Sequence, residues 1–213
     1  MTTTGSEPQD AAPPSPELSP GAHSVFVRLA HWVNAFAILV MILSGWRIYD
    51  ADPFLGFSIP RDFTLGGWLA GALAWHFAAM WLLVANGLAY LVYALASGHW
   101  RDLAPTGGLW RDLAAALAGM LDHVPGRYNA VQRWLYLFAM GCIILAVVSG
   151  VAIWKPVQFQ ELTSVLGGYE GARRWHFAAM TGLVAFLIVH VAAALSAPHV
   201  LKAMIRGRAG QTP

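Results

Sequence analysis

Apolar positions along this chain do not alternate with polar ones; they run together. Four nearly uncharged runs lie at about residues 24–46, 65–96, 131–154 and 172–197, and each reaches the roughly 20 residues an α-helix needs to cross a ~30 Å hydrocarbon core. A helix that is apolar all round has no face for water, so lipid or neighbouring helices must cover it. The second and fourth runs exceed the minimum and have length to tilt or project. Polar residues gather in the intervals: a Pro/Asp/Arg-containing loop at 50–62, a longer connection at 97–130 and a short loop at 155–171. Within the long connection, residues 110–121 pattern as an amphipathic helix on the membrane surface, with Asp112 in its first turn. Residues 1–22 are rich in Pro, Ser and Thr and lack an apolar h-region. They read as a disordered tail, not a secretory signal. Residues 23–207 then form one four-helix membrane domain, and 208–213 a short C-terminal tail.

The runs also repeat. Trp75-His76-Phe77-Ala78-Ala79-Met80 recurs unchanged as Trp175-His176-Phe177-Ala178-Ala179-Met180, and Leu83-Val84 recurs as Leu183-Val184. The first and third runs align more weakly, with Arg28 opposite Arg133, Ser44-Gly45 opposite Ser149-Gly150, and His31 opposite Tyr136. The expected fold is all-α, a four-helix bundle of two tandem helical hairpins. Parallel repeats are commonly related by an axis along the membrane normal, which sets His76 against His176. His190 falls opposite Tyr90, so the repeat keeps one histidine pair and breaks another.

Composition narrows the class. The 213 residues are 57% apolar and 11% charged, with mean hydropathy +0.53, against about 25% charged in soluble domains. A net charge of +2 gives no electrostatic footprint for nucleic acid. Ten tryptophans suit the aromatic belts at the headgroups. The single Cys142 cannot form an internal disulfide, and no C-x-x-C-H is present for covalent haem attachment. Arg28, Arg101, Arg111, Arg127, Arg133, Lys202, Arg206 and Arg208 fall on the side of the two ends, against Arg47, Arg61, Lys155, Arg173 and Arg174 opposite. That excess predicts cytoplasmic N- and C-termini.

Four histidines inside the runs carry the candidate chemistry. His176 and His190, fourteen residues apart, return to within roughly 40° of one helix face and stand about 21 Å apart along it. His76 falls about eleven residues into its run and His176 a few residues into its own, both in the outer half; His31 and His190 lie near the inner ends. Depth therefore pairs His76 with His176 and His31 with His190. Imidazole in hydrocarbon usually faces the bundle interior and marks a ligand or pathway. A haem held by one histidine from each of two helices satisfies the nitrogens, and an iron with both axial positions filled favours electron transfer over oxygen chemistry. The plainer reading is a hydrogen bond between helices. A di-iron centre would want accompanying Glu-x-x-His motifs, and zinc would want its ligands at one depth. Met80 and Met180 read as packing. His23, His99, His123 and His199 fall in tails or loops. Gly45 and Gly150 would let a macrocycle approach the backbone, or simply allow close helix packing. Arg28 and Arg133 at the inner interface, and Arg47, Arg173 and Arg174 at the outer one, suit haem propionates or act as snorkelling anchors.

With these four histidines, Arg28 ahead of the first and the fourteen-residue spacing in the last run, the chain resembles the bacterial dihaem cytochrome b family. That family includes membrane subunits of nickel-iron hydrogenases, formate dehydrogenases and thiosulfate reductases. The resemblance covers nearly everything after residue 22. The opening His23-Ser24-Val25-Phe26-Val27-Arg28-Leu29-Ala30-His31-Trp32 and the repeated hexapeptides look most like the branch paired with molybdopterin oxidoreductases. It implies two haems b, an outer one on His76 and His176 and an inner one on His31 and His190. It also implies quinone exchange near the inner haem and a periplasmic redox partner, in the bacterial inner membrane. Asn34, Tyr90, Gln132 and Tyr136 are the candidate quinone donors, each also explained by packing or water contact. The favoured reading is an electron-transfer subunit of an oxidoreductase complex. A stand-alone superoxide:quinone oxidoreductase, its anion drawn by Arg47, Arg61, Arg173 and Arg174, and a non-redox transporter or scaffold are the alternatives.

Overall fold

The computed structural model describes residues 24–97, 114 and 130–207, with residues 130, 199 and 200 described by backbone alone. The tails at 1–22 and 208–213, the surface helix at 110–121 apart from residue 114, and His23, His99 and His123 lie outside these residues. Four helices are long and apolar enough to cross a membrane: α1 (Val25–Tyr49), α2 (Leu69–Ser97), α3 (Ala130–Trp154) and α5 (Gly168–Ser196). Two shorter helices, α4 (Gln160–Val165) and α6 (Pro198–Arg206), complete the order. Each spanning helix appears where a long apolar run predicts it, and the chain is a multi-pass membrane protein.

Helix ends depart from the runs for local reasons. Ser24 starts α1 by accepting a hydrogen bond from the Val27 amide at 3.3 Å, an ordinary N-cap. The second run begins at Leu65, yet α2 begins at Leu69 because Gly66 and Gly67 take left-handed φ values of 105° and 68°. These angles favour glycine and interrupt a helix. In the fourth run the opposite happens. Left-handed Gly167 (φ 87°) ends the preceding turn, and α5 starts at Gly168, ahead of the apolar run at 172. The interval 155–171, expected as a loop, contains α4, tied to α3 through the buried Thr163, whose hydroxyl lies 3.3 Å from the Ala152 carbonyl.

α6 was not expected as a helix. Pro198 opens it, and Gly207 closes it with φ 75°. The start of α1 reaches its backbone through two side chains. The Trp32 indole N–H donates to the Met204 carbonyl and Arg28 Nη1 to the Ile205 carbonyl, both at 3.4 Å.

Packing divides the molecule into two hairpins. α1 lies closely along α2, and α3 along α5, while backbone approaches between the hairpins are sparse among the described residues. The hairpins meet through side chains, and those meetings repeat. Tyr49 of α1 packs on Phe177 of α5 with ring centroids 4.9 Å apart. Trp154 of α3 packs on Phe77 of α2 at 5.4 Å. These are the same contact made twice, in reciprocal directions, as an approximate twofold requires. Burial follows the same symmetry: Ala72 and Ala172 are both fully buried, while Trp75 and Trp175 are 49% and 50% exposed.

Candidate functional site

His76 and His176 face each other between the hairpins with ring centroids 6.2 Å apart and planes inclined by 63°. His76 stands seven residues after Leu69, and His176 eight residues after Gly168. The revised helix starts thus put both at one depth, where the apolar runs alone had offset them. At the other end, where residue 24 and α6 lie, His31 of α1 and His190 of α5 face each other with centroids 5.9 Å apart and planes at 50°. Phe186, one turn before His190, stacks on its ring at 5.4 Å. Both pairs predicted from depth are brought together, one at the end of the two connections and one at the end of the termini.

A first-row metal bonded to one nitrogen of each imidazole, at about 2 Å per bond, would separate the ring centroids by roughly 6 Å. Both pairs meet that spacing, and each joins the two hairpins across their sparse backbone interface. Among the described residues no three His, Cys, Asp or Glu side chains cluster. Each pair thus brings two imidazoles together, a number that would fit the two axial positions of a bis-histidine haem iron.

Local sequence explains how the first pair is oriented. Ser44 is fully buried, and its hydroxyl donates to the Val40 carbonyl at 2.6 Å while lying 3.1 Å from His76 Nδ1. Ser149 does the same, with Leu145 at 2.5 Å and His176 Nδ1 at 3.2 Å. The Ala146 carbonyl also lies 2.9 Å from His176 Nδ1. The following glycines complete each seat. A Cβ on Gly45 would stand 3.5 Å from His76 Cε1, and one on Gly150 would stand 3.2 Å from His176 Cε1. Both glycines were expected to admit a macrocycle or to allow close helix packing, and each lies beside the imidazole of its own hairpin.

The serines were missed as site residues because Ser-Gly within an apolar run reads as small-residue packing. Their duplication beside the duplicated histidines was the available signal. Asn86 was missed as well. Its side-chain amide donates to the Ala30 carbonyl at 2.8 Å and to Asn34 Oδ1 at 2.7 Å. Asn86 occupies the repeat position of Phe186, so the helix turn beside Tyr90 differs from the one beside His190. Asn34 is therefore engaged by α2. Tyr90 packs near Tyr93 at 6.4 Å, while Gln132 and Tyr136 lie on α3.

The arginines divide. Arg28 Nε is buried without a hydrogen-bond partner among the described residues, an orphan donor suited to a carboxylate. Arg47 Nε donates to the Gly67 carbonyl at 3.1 Å, bracing the α1–α2 corner. Arg173 pairs with Asp52 at 2.7 Å and Glu170 at 3.1 Å, and its guanidinium lies 5.3 Å from the Phe54 ring centroid. Arg174, next to it, is exposed. The facing rings and the orphan donor fit haem: two nitrogens per iron and a cation for a propionate.

Comparison with known proteins agrees with this chemistry. The prokaryotic cytochrome b561 family model matches residues 22–207. A relative in Azospira oryzae, named as the protein-methionine-sulfoxide reductase subunit YedZ1, is 52% identical over 189 residues, covering 87% of this chain and 96% of that one. A Cupriavidus necator protein named as a Ni/Fe-hydrogenase B-type cytochrome subunit is 27% identical, covering 79% of this chain and 76% of its own. The cytochrome b556(fdo) subunit of Escherichia coli formate dehydrogenase is 25% identical, with coverages of 84% and 81%. A family match that runs through all four spanning helices and all four facing histidines makes this chain a member of the prokaryotic cytochrome b561 family, and with it a haem b protein of membrane electron transfer.

Proposed function

We propose that the chain carries electrons across the membrane along two haems b, one held by His76 and His176 and the other by His31 and His190. The facing of both histidine pairs, at 6.2 and 5.9 Å between rings, carries this reading. The fourteen-residue separation on α5 spaces the two sites by about 21 Å along the helix. α5 would thus supply one ligand to each haem.

With cytoplasmic termini, as the charge count favours, the His31/His190 site lies toward the inner side and the His76/His176 site toward the outer side. Arg28 would hold an inner propionate through its buried Nε, with Arg133 at the repeat-related position. Arg47 and Arg174 would serve the outer haem. When bound, haem supplies a one-electron Fe(III)/Fe(II) couple; the protein fixes axial geometry and excludes water.

Quinone exchange would lie beside the inner site, with Asn34, Tyr90, Gln132 and Tyr136 as candidate donors. The outer face would dock an oxidoreductase subunit. Likeness to the YedZ1 protein favours a reductase as that partner, with electrons leaving quinone and passing outward. The stand-alone superoxide reading is weakened by Arg173, whose charge already faces Asp52 and Glu170. Family membership favours electron transfer over a transporter or scaffold.

The purified chain should show a reducible b-type spectrum with two haems per chain. His31→Ala and His190→Ala should each remove one haem, and His76→Ala and His176→Ala the other. Retention of both haems in all four variants would sink the proposal.

A further inference from the structure

The two Ser-Gly seats have a consequence for electron flow. A serine hydroxyl holds one proton and two acceptor lone pairs. Ser44 commits its proton to the Val40 carbonyl at 2.6 Å, and Ser149 commits its own to the Leu145 carbonyl at 2.5 Å. Toward His76 Nδ1 at 3.1 Å and His176 Nδ1 at 3.2 Å each oxygen can therefore only accept. The Ala146 carbonyl, 2.9 Å from His176 Nδ1, can likewise only accept. Both imidazoles are thereby fixed with the proton on Nδ1, leaving Nε2 with its lone pair. Gly45 and Gly150 let each ring settle onto the seat, since neither interposes a Cβ.

We infer that Ser44 and Ser149 are positioning residues that, with the Ala146 carbonyl beside His176, hold His76 and His176 in the ligating tautomer and hold down the reduction potential of the haem between them. This rests on the reading of these histidines as axial ligands. Accepting a hydrogen bond from Nδ1–H makes the imidazole a stronger donor. A stronger donor favours ferric iron, the more positively charged member of the one-electron couple, over ferrous iron. Because the seat is duplicated with the hairpin, both ligands of a single haem receive an adjustment of the same sign. Each serine is fully buried, so water does not readily replace its oxygen.

The test is potentiometric titration of the full chain carrying Ser44→Ala, Ser149→Ala or both, with the two haem components assigned through His31→Ala. The His76/His176 component should move to more positive potential in Ser44→Ala, by less in Ser149→Ala, where the Ala146 carbonyl still accepts from His176 Nδ1, and furthest in the double. In the double variant, the oxidised-to-reduced ratio at fixed ambient potential should fall by about tenfold, equivalent to about 59 mV for one electron. The other component should stay in place. Both haems retained with neither potential moved, or both potentials moved equally, would overturn the inference. Should an alanine variant lose the haem, the corresponding Ser→Thr variant decides: haem restored at the unmodified potential supports the seat, and haem still absent overturns it. Absence of haem from the unmodified chain would instead overturn the dihaem reading.

Discussion

A methyl group at Gly45 or Gly150 is the smallest change that probes the seat of a facing histidine, and the two positions differ in a measurable way. The added carbon would lie at ordinary contact distance, 3.5 Å, from His76 Cε1, but at 3.2 Å from His176 Cε1. Alanine also favours a helix interior over glycine by up to about 1 kcal/mol. Gly45→Ala should therefore keep full haem content, with thermal stability unchanged or slightly raised. Gly150→Ala must push the His176 ring by a few tenths of an ångström, and should lower occupancy of that haem or shift its spectrum. Absorbance per protein and thermal melts in detergent compare the two; equal behaviour would count against imidazole contact as their shared role. At this scale the histidines were legible in the sequence, because imidazole in hydrocarbon is rare enough to stand out. Ser44, Ser149 and Asn86 were not, since their meaning lies in the atom across the helix interface. Burial and the approach to Nδ1 turn an unremarkable Ser-Gly pair into a seat for an imidazole.

At the scale of elements, the four spanning helices were legible because an uncharged run of that length has few other uses, whereas their ends depended on single glycines. Gly66, Gly67 and Gly167, all at positive φ, decide where α2 and α5 begin, and apolar content says nothing about that angle. α6 escaped notice because nine residues of mixed polarity become a helix chiefly through tertiary contact, here with Arg28 and Trp32 of α1. Its terminating glycine makes this testable. At φ 75° an added Cβ is strained, and at Gly207 it would also run into the Arg28 guanidinium. Gly207→Ala should lower stability by roughly 1 kcal/mol, seen as a lower melting temperature, and should disturb the His31/His190 component of the haem spectrum more than the His76/His176 component. The connection end offers a contrast. Asp52 is largely exposed, so its ion pair with Arg173 belongs to the class worth about 0–1 kcal/mol. Asp52→Asn should shift the melting temperature little, and less still in high salt. Arg173→Ala also removes the contact with Phe54 and the bond to Glu170, and should cost more than Asp52→Asn in the same melts.

For the whole molecule, the distribution of packing predicts how stability depends on haem. Each hairpin is closely packed within itself, but among the described residues the two meet through a few rings, the Arg173–Asp52 pair, the bonds from Arg28 and Trp32 of α1 to α6 beyond α5, and the two histidine pairs. A ligand bonded to one histidine from each hairpin would add a cross-link where the protein supplies few of its own. It would stabilise the assembled bundle without stabilising separated hairpins. Binding restricted to the assembled form contributes RT ln(1 + [L]/Kd), about 4 kcal/mol at a thousandfold excess over Kd. Protein produced under haem starvation should therefore melt at a markedly lower temperature than the loaded form, and titration with haem should restore it. The single-site variants should fall between. His31→Ala leaves the His76/His176 cross-link at the end where Tyr49–Phe177 and Trp154–Phe77 already join the hairpins, and only the two 3.4 Å bonds from Arg28 and Trp32 to α6 at the other end. His76→Ala leaves the His31/His190 cross-link at the opposite end, so the remaining ties are spread over both ends. On that basis His76→Ala should lose less stability than His31→Ala, even though under the proposed ligation each would remove one haem. Equal melting temperatures for loaded and haem-free protein would show that the hairpins need no cross-link, and would remove the physical ground for placing haem between them.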